Sequence, residues 1–248
     1  YDAGHSYNDF EPGDHYLQLS KTEKDMIDLV CKNFDKVVVV YNGANAMELG
    51  WVKDYSQIKS VVWCAGTGQS GFNALGSILC GDVNPSGRTI DTFVYDLTQT
   101  PTANNFGNFN YTNMDEFKAS SFGADTIPAF VNYVEGIYVG YKYYETRYED
   151  FVTGNGNAGD YAYGDIVAYP FGYGMSYTDF DISDMNVSYN AADDTYTVTV
   201  KVTNTGDMAG KKTVQVYVQS PYTDYDKQNN VEKSSIQLLG YDKIDVAA

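Results

Sequence analysis

Histidine is scarce in this chain of 248 residues, which contains only two. His5 and His15 are too few for a site in which several imidazoles hold a metal, and no CxxC pair or His/Cys cluster suggests one. A serine triad would need one of these histidines, yet the sequence has no GxSxG nucleophile elbow. The residues therefore indicate neither a metal site nor a cofactor, and none is expected.

Cysteine is nearly as rare, with three residues that cannot all pair with one another. Cys31, Cys64 and Cys80 each lie in an apolar stretch of sequence. A cysteine in such a setting behaves as a small buried hydrophobic residue. We predict that all three thiols are reduced and mostly buried.

Basic charge and long apolar runs are also lacking. The 16 Lys and Arg residues face 33 Asp and Glu residues, a net charge of −17. Such a chain repels a phosphate backbone, so nucleic acid is excluded as a partner. The longest apolar run, residues 37–40, is far below the roughly 20 residues that span a membrane, and no membrane association is expected. Aromatic residues are abundant, with 24 tyrosines that suit either sugar rings or ordinary sheet packing.

Helix and strand patterns alternate in the first part of the chain. Ser20 and Glu23 have the spacing of a capping box before an amphipathic stripe, which predicts a helix. A fully apolar strand at residues 37–41 and a second at residues 60–65 predict a parallel sheet that is covered on both faces. A short helix is predicted near residues 47–55, a second helix at residues 72–79 with Gly81 just beyond its end, and a strand at residues 88–93. This alternation predicts a layered α/β domain with flanking helices.

The pattern changes near Thr178. Residues 195–202 and 213–218 alternate between apolar and polar side chains, which is typical of an antiparallel β-sandwich. Three or four strands do not close a sandwich, so strands from later sequence are expected. We therefore predict an α/β domain over residues 1–178 and the start of a β-sandwich domain over residues 179–248.

Five stretches resemble the second domain of glycoside hydrolase family 3, and they occur in the family's order. They are residues 36–42, 61–71, 81–88 (GDVNPSGR), 135–144 (EGIYVGYKYY) and 169–178 (YPFGYGMSYT), the last close to the family's PFGYGLSYT. A fibronectin-III-like start follows them. The resemblance covers nearly the whole chain and is weakest over residues 1–15 and 145–165.

The resemblance implies part of a retaining, exo-acting β-glucosidase-type enzyme. Retaining glycosidases need two carboxyl groups about 5–5.5 Å apart, one a nucleophile and one an acid/base. In this family the nucleophile, an Asp, comes from a TIM barrel, and the acid/base, commonly a Glu, comes from a loop of the α/β domain. The active site is thus assembled between domains. This chain contains no barrel, so the barrel of the same protein is the implied partner, and terminal β-linked sugars, above all β-glucosides, are the implied substrates.

The resemblance places neither catalytic carboxylate on this chain. In similar proteins the acid/base lies in a Gly-Glu-Gly-like motif, and Tyr1 follows that point. Glu11 is the one candidate that remains, and a surface loop is the simpler interpretation of its Phe-Glu-Pro-Gly setting. His5 and Tyr7 are candidates for substrate binding because their loop would lie near the domain interface. Glu135 opens a matched motif, but we interpret that motif as a strand and turn whose tyrosines pack on the sheet.

Three functions remain open from the sequence. The first is a glycosidase fragment that is inactive alone, and the second is a non-catalytic carbohydrate-binding or assembly module. The third, a flavodoxin-like ligand binder, conflicts with the fibronectin-like tail and the missing phosphate loop. The compartment also remains open, since free thiols favour the cytosol whereas polymer-degrading relatives are often exported.

Overall fold

A computed structural model of the chain describes residues 15, 17–105, 112–113, 130–156 and 158–248. Contacts between residues divide the chain into two units of three stretches each. The first unit contains Tyr1–Gly66, Asp91–Pro170 and Tyr222–Ser235. The second contains Thr67–Ile90, Phe171–Pro221 and Ile236–Ala248. Each unit is therefore built from segments that are distant in sequence.

Helix α1 of the first unit, Lys21–Asn33, begins as the capping box predicts. Ser20 Oγ accepts a hydrogen bond from the Glu23 amide at 3.3 Å, and the Glu23 carboxylate accepts one from the Ser20 amide at 2.8 Å. These bonds satisfy two backbone donors that a helix start otherwise leaves without partners. Ile27 and Cys31 form the buried side of the helix.

Strand β1, Val37–Tyr41, pairs in parallel with β2, Ile58–Trp63, which confirms the predicted neighbouring strands. The expectation that β1 is covered on both faces is wrong for the described part of the chain. Tyr41 is buried, but Val38 is 47% exposed and Val40 is 38% exposed. One face of β1 thus packs into the core while the other is open.

The core of the first unit surrounds β1. Phe93 is 2% exposed, and its ring meets the Trp63 ring at 5.2 Å and 74°. Its buried neighbours are Tyr41, Met47 and Leu49. The predicted helix near residues 47–55 is only a 3₁₀ turn, Gly50–Asp54, and the predicted strand at 88–93 shrinks to β3, Phe93–Val94. Strand β3 pairs antiparallel with β4, Val167–Tyr169.

The EGIYVGYKYY motif is not a strand, which corrects the interpretation from sequence. Its first part is a turn at residues 134–137, in which Glu135 is 8% exposed. Gly140, with φ of 60°, then starts helix α3, Tyr141–Thr153. A positive φ suits glycine, which has no Cβ to clash. The prediction that the tyrosines of this motif pack in the core holds for Tyr144, which is 6% exposed.

Two further segments pack beside α3. Helix α4, Tyr163–Ile166, leads directly into β4. The stretch Tyr222–Ser235 carries helix α5, Asp224–Asn229, and its Ser235 amide donates to Thr146 Oγ1 at 2.9 Å. Hydrogen bonds from Lys233 and Thr223 lower the pKa of Asp226 to about 2, so this carboxylate stays ionised and caps α5.

The second unit begins with the glycine-rich turn and helix α2, Gly71–Leu79. Gly81 follows with φ of +83°, as predicted for the residue after a helix end. Asn84 then joins three segments. Its Nδ2 donates to the Ala209 carbonyl at 3.1 Å, while its Oδ1 accepts from Ser176 Oγ and the Tyr177 amide, both at 2.8 Å. One amide thus holds two of the family-like motifs together.

Four long strands complete the second unit in two antiparallel pairs. Strand β5, Phe180–Asn190, pairs with β6, Thr195–Asn204, and β7, Gly210–Val218, pairs with β8, Gln237–Val246. The fold class predicted from the sequence, small sheets with flanking helices followed by antiparallel strands, is confirmed. The boundary at residues 178/179 stays a prediction. None of the helices in the described ranges has the length and apolar character that a membrane span requires.

The three cysteines are unpaired, but they are not equally buried. Cys31 is buried on α1, Cys64 is half-buried and Cys80 is exposed. The prediction of three buried thiols is therefore wrong for Cys80. That residue is the C-cap of α2, a helix with no buried residue, so its apolar neighbours in sequence do not place it in a core.

We expect the three thiols to react with an alkylating reagent at different rates. Cys80 should be modified rapidly, Cys64 more slowly and Cys31 only after local opening of α1, since a buried thiol is shielded from the reagent. Peptide mass spectrometry over a time course measures each rate, and a denatured sample in which all three react alike is the control. Cys80 reacting as slowly as Cys31 would contradict this exposure pattern.

Candidate functional site

The site residues predicted from the sequence, His5, Tyr7 and Glu11, lie outside the described residues. Their positions relative to a substrate stay predictions. The described residue nearest to them in sequence is His15.

His15 is fixed by both of its ring nitrogens. Nε2 lies 3.2 Å from Glu48 Oε1, and Nδ1 accepts a hydrogen bond from the Leu17 amide at 3.2 Å. Since Nδ1 acts as an acceptor, this network assigns the ring proton to Nε2, which donates to the carboxylate. The His15 side chain is only 1% exposed. The backbone adds a further bond, from the Glu48 amide to the Leu17 carbonyl at 2.7 Å.

The Glu48 carboxylate also reaches a third segment. Its Oε1 accepts from the Leu97 amide at 2.8 Å, so one oxygen links the N-terminal segment to residues 96–99. Burial raises the pKa of the neighbouring Asp96, but hydrogen bonds from Thr98 and Gln99 outweigh it and leave that pKa below its usual value. An ionised Asp96 thus lies close to the His15–Glu48 pair.

We call the His15–Glu48 pair the anchor. Its Glu48 lies on the loop that follows the carboxyl end of β1. The same loop is tied to the end of β2, because Asn42 Nδ2 donates to the Cys64 carbonyl at 2.7 Å and Trp63 Nε1 donates to the Gly43 carbonyl at 2.8 Å. Open α/β sheets bind their ligands beyond the carboxyl ends of their strands. His15 therefore lies at the end of β1 where a ligand is expected.

The His15–Glu48 pair fits an anchor better than a catalytic dyad. Both imidazole nitrogens are engaged and the side chain is buried, so the ring presents no nitrogen to a substrate proton. A dyad would also need access for a reacting group. This role of His15 could not be predicted from the sequence, since its partner is 33 positions away and no local motif marks the pair.

A second polar cluster lies along α3 and is built mainly from tyrosines. The Tyr163 hydroxyl donates to the Glu145 carboxylate at 2.6 Å. Burial, followed by this hydrogen bond, raises the pKa of Tyr163 well above its usual value. Burial likewise raises the pKa of Tyr144 and of Tyr161. These hydroxyls stay protonated at neutral pH and do not act as bases. That of Tyr161 is buried without a hydrogen-bond partner among the described residues.

No three His, Cys, Asp or Glu side chains converge in a metal-binding arrangement within the residues that the structure describes. The charged pairs that do occur, such as Lys233 with Asp226, bind each other.

Known proteins that are similar in sequence and structure indicate the family of this chain. Over 94% of its length the chain is 34% identical to β-glucosidase A of Butyrivibrio fibrisolvens, of which it covers 25%. It is 33% identical to an exo-α-(1→6)-L-arabinopyranosidase of Bifidobacterium longum over 85% of its own length and 22% of that protein. Among solved structures, β-glucosidase 3B of Thermotoga neapolitana in complex with glucose matches 96% of the chain and 28% of that enzyme, with a TM-score of 0.70 and 29% identity.

The chain thus spans only about a quarter of the relatives that it resembles. The family model described as the glycosyl hydrolase family 3 C-terminal domain matches residues 4–141, more than half of the chain. That range includes β1, β2 and the start of α3. This chain therefore belongs to glycosyl hydrolase family 3.

Proposed function

We propose that this chain is the part of a retaining, exo-acting glycoside hydrolase that forms one wall of an active site between domains. The whole enzyme removes terminal β-linked sugars, with β-glucosides as the leading substrates. The chain alone is inactive, because the nucleophile and the acid/base belong to other parts of the protein. A TIM barrel of the same protein is the partner that this function requires.

The observation that supports the proposal is the match along nearly the whole chain to β-glucosidases, one of them solved with glucose. The match includes both units. An L-arabinopyranosidase is about as similar to this chain as the β-glucosidases are. β-Glucoside is therefore the first substrate to test, and an arabinopyranoside is the second.

The chemistry explains why the chain alone should fail. One carboxylate attacks the anomeric carbon and forms a glycosyl-enzyme, while a carboxylic acid protonates the departing glycosidic oxygen. The resulting carboxylate then takes a proton from water, which releases the sugar and restores the enzyme. General acid–base help contributes roughly 10²–10⁴-fold, and the covalent step adds to this. A chain that lacks both the nucleophile and the acid/base therefore cannot hydrolyse a glycoside at an enzyme-like rate.

The geometry of His15 supports a place for the N-terminal segment beside the active site. His15, which follows His5, Tyr7 and Glu11 in sequence, is held at the carboxyl side of β1 through the bond to Glu48. In the proposed enzyme, the acid/base loop lies just before this segment. His5 and Tyr7 are then placed to contact the sugar, and Glu11 is the weaker candidate for the acid/base.

We expect purified chain to show no turnover of a nitrophenyl β-glucoside, whereas the longer protein that carries it turns over at an enzyme-like rate. Release of nitrophenol by both proteins measures this, with a nitrophenyl α-L-arabinopyranoside run beside it. A Glu11→Gln variant of each protein is the control for a catalytic role of Glu11.

Two outcomes would overturn the proposal. Enzyme-like turnover by the chain alone that vanishes in Glu11→Gln would make Glu11 the acid/base and the chain an enzyme in itself. A longer protein that binds glucosides but hydrolyses none of the test substrates would favour the non-catalytic carbohydrate-binding module.

A further inference from the structure

The sequence contains two Asn–Gly steps, Asn42–Gly43 and Asn155–Gly156. Such a step is chemically labile, because glycine has no side chain to keep its backbone nitrogen away from the preceding asparagine side chain. That nitrogen attacks the side-chain carbonyl carbon, Cγ, when the two atoms come close in a suitable orientation. The local structure decides how freely they can meet, and it differs between the two steps.

The Asn42–Gly43 step is held by groups that are distant in sequence. Asn42 Nδ2 donates to the Cys64 carbonyl at 2.7 Å, and Trp63 Nε1 donates to the Gly43 carbonyl at 2.8 Å. The Tyr41 ring also packs directly on Gly43, since a β-carbon added there would lie 2.6 Å from Tyr41 Cζ. The two donor–acceptor pairs are 22 and 20 positions apart, so this step can rearrange only if the whole loop leaves the sheet.

The Asn155–Gly156 step follows helix α3 and is held only by its neighbours in sequence. The Gly154 and Asn155 amides both donate to the Asp150 carbonyl, which ends the helix. Within the described residues, the Asn155 side chain has one partner, Thr153 Oγ1, at 2.9 Å, and the Gly156 amide donates no hydrogen bond. Fraying of the last turn of α3 is therefore enough to release this step.

A carboxylate lies directly beside Gly156, which is an independent observation. A β-carbon added to Gly156 would lie 3.1 Å from Asp150 Oδ2, so this oxygen borders the backbone whose nitrogen must lose its proton. Burial raises the pKa of the Asp150 carboxyl, and the nearby Arg147 offsets only part of that rise. A carboxylate that is more basic than usual is suited to take a proton from the Gly156 amide as its nitrogen attacks.

We propose that Asn155 is a site of self-modification, at which the side-chain amide is converted to a carboxylate with Asp150 as the local base. The Gly156 nitrogen passes its proton to Asp150 and bonds to Asn155 Cγ. The Cγ–Nδ2 bond then breaks, and the amide nitrogen takes the proton from Asp150 and leaves as ammonia. Solvent water opens the resulting cyclic imide at either carbonyl, which leaves an aspartate or an isoaspartate. This inference does not depend on the catalytic role proposed above.

The product changes the charge at the end of α3. A carboxylate at position 155 lies beyond the C-terminus of the helix, which is the negative end of its dipole, and close in sequence to the Asp150 carboxylate. Both interactions are repulsive, so Asn155→Asp, which reproduces the new charge, should lower the melting temperature by about 2 °C or more. Asn155→Gln adds no charge and is the matched control. Equal melting temperatures for the two variants would contradict this consequence.

Peptide mass spectrometry of the chain during incubation at neutral pH measures the conversion of each asparagine, and an isoaspartyl methyltransferase labels the isoaspartate that forms. In the folded chain, Asn155 should convert at least about tenfold faster than Asn42, because Asn42 reacts only after its loop opens. In denaturant both should convert at similar rates, since the fold no longer distinguishes them. A folded chain in which Asn155 converts as slowly as Asn42 would overturn the proposal.

Asp150→Asn tests the role of the base. In the folded chain it should slow the conversion of Asn155 by about tenfold and leave that of Asn42 unchanged, and in denaturant it should have no effect on either. A substitution that merely loosened the turn would speed the conversion, so the direction of the change separates the two effects. An Asp150→Asn chain in which Asn155 converts as fast as before, or faster, would overturn the assignment of Asp150 as the base.

Discussion

Replacing Phe93 by alanine is expected to lower the free energy of unfolding by about 3–5 kcal/mol, the range for truncating a buried aromatic ring. Phe93 is 2% exposed, and its ring contacts Trp63 at 5.2 Å and Tyr169 at 6.4 Å. Because these partners come from β2 and β4, the truncation opens a cavity where both small sheets of the first unit meet. Denaturant unfolding of the unsubstituted chain and of the Phe93→Ala variant measures the difference in the free energy of unfolding.

The matched control for this experiment is Ile90→Ala. Ile90 lies three positions earlier and is 79% exposed, so its truncation should change stability by no more than about 0.5 kcal/mol. A Phe93→Ala protein that unfolds at the same denaturant concentration as Ile90→Ala would show that the ring is not part of a packed core.

Raising the pH above about 10, the ordinary pKa of a tyrosine, is expected to unfold the first unit. Burial raises the pKa of Tyr144, Tyr161 and Tyr163 in the folded chain, and a hydrogen bond to Asp28 raises that of Tyr55 to about 12. The folded state therefore holds these protons more tightly than the unfolded chain does. The stability that this provides is full below the unfolded pKa and is lost as pH rises through the folded values.

Circular dichroism combined with the ultraviolet absorbance of tyrosinate, followed across this range, measures the transition. Ionisation of the buried tyrosines should coincide with the loss of structure. Tyr163→Phe removes one titrating hydroxyl, so it should make the alkaline loss less steep while costing about 1 kcal/mol at neutral pH for the bond to Glu145. Tyr241→Phe, at a position 73% exposed, is the control. Buried tyrosines that ionise without any loss of structure would refute the expectation.

Much of the local structure could be predicted from the sequence, because its causes are local. The capping box of α1 needs only Ser20 and Glu23 at the right spacing. The parallel pair β1 and β2 follows from two apolar runs separated by a connection. The antiparallel strands of the second unit follow from the alternation of apolar and polar residues over 195–202, which lies within β6.

The errors arose where tertiary context decided the outcome. The sequence of the tyrosine-rich motif, residues 135–144, predicts a strand and turn. The turn is present, but instead of a strand Gly140 starts a helix, and that helix buries Tyr144. Cys80 lies next to apolar residues, but it caps a helix without a buried face. Apolar neighbours in sequence do not show on which side of a helix the rest of the protein lies.

The anchor at His15 could not be predicted for a different reason. A bond between residues 33 positions apart has no signature in a single sequence. In the sequence His15 is distinctive only as one of two histidines, and no motif marks Glu48. The site residues predicted from the sequence are His5, Tyr7 and Glu11. They lie outside the described residues, and their roles stay predictions.

The scarcity of histidine makes the His15 anchor a natural spectroscopic reporter. With only two imidazoles in the chain, a nitrogen-labelled sample gives at most two sets of ring resonances in the magnetic resonance spectrum. The buried ring, protonated on Nε2 and accepting at Nδ1, has the pattern of a single neutral tautomer, whereas a solvated imidazole averages over both. Following that one signal while substrate or a neighbouring domain is added would report whether His15 keeps its bond to Glu48, without any engineered label.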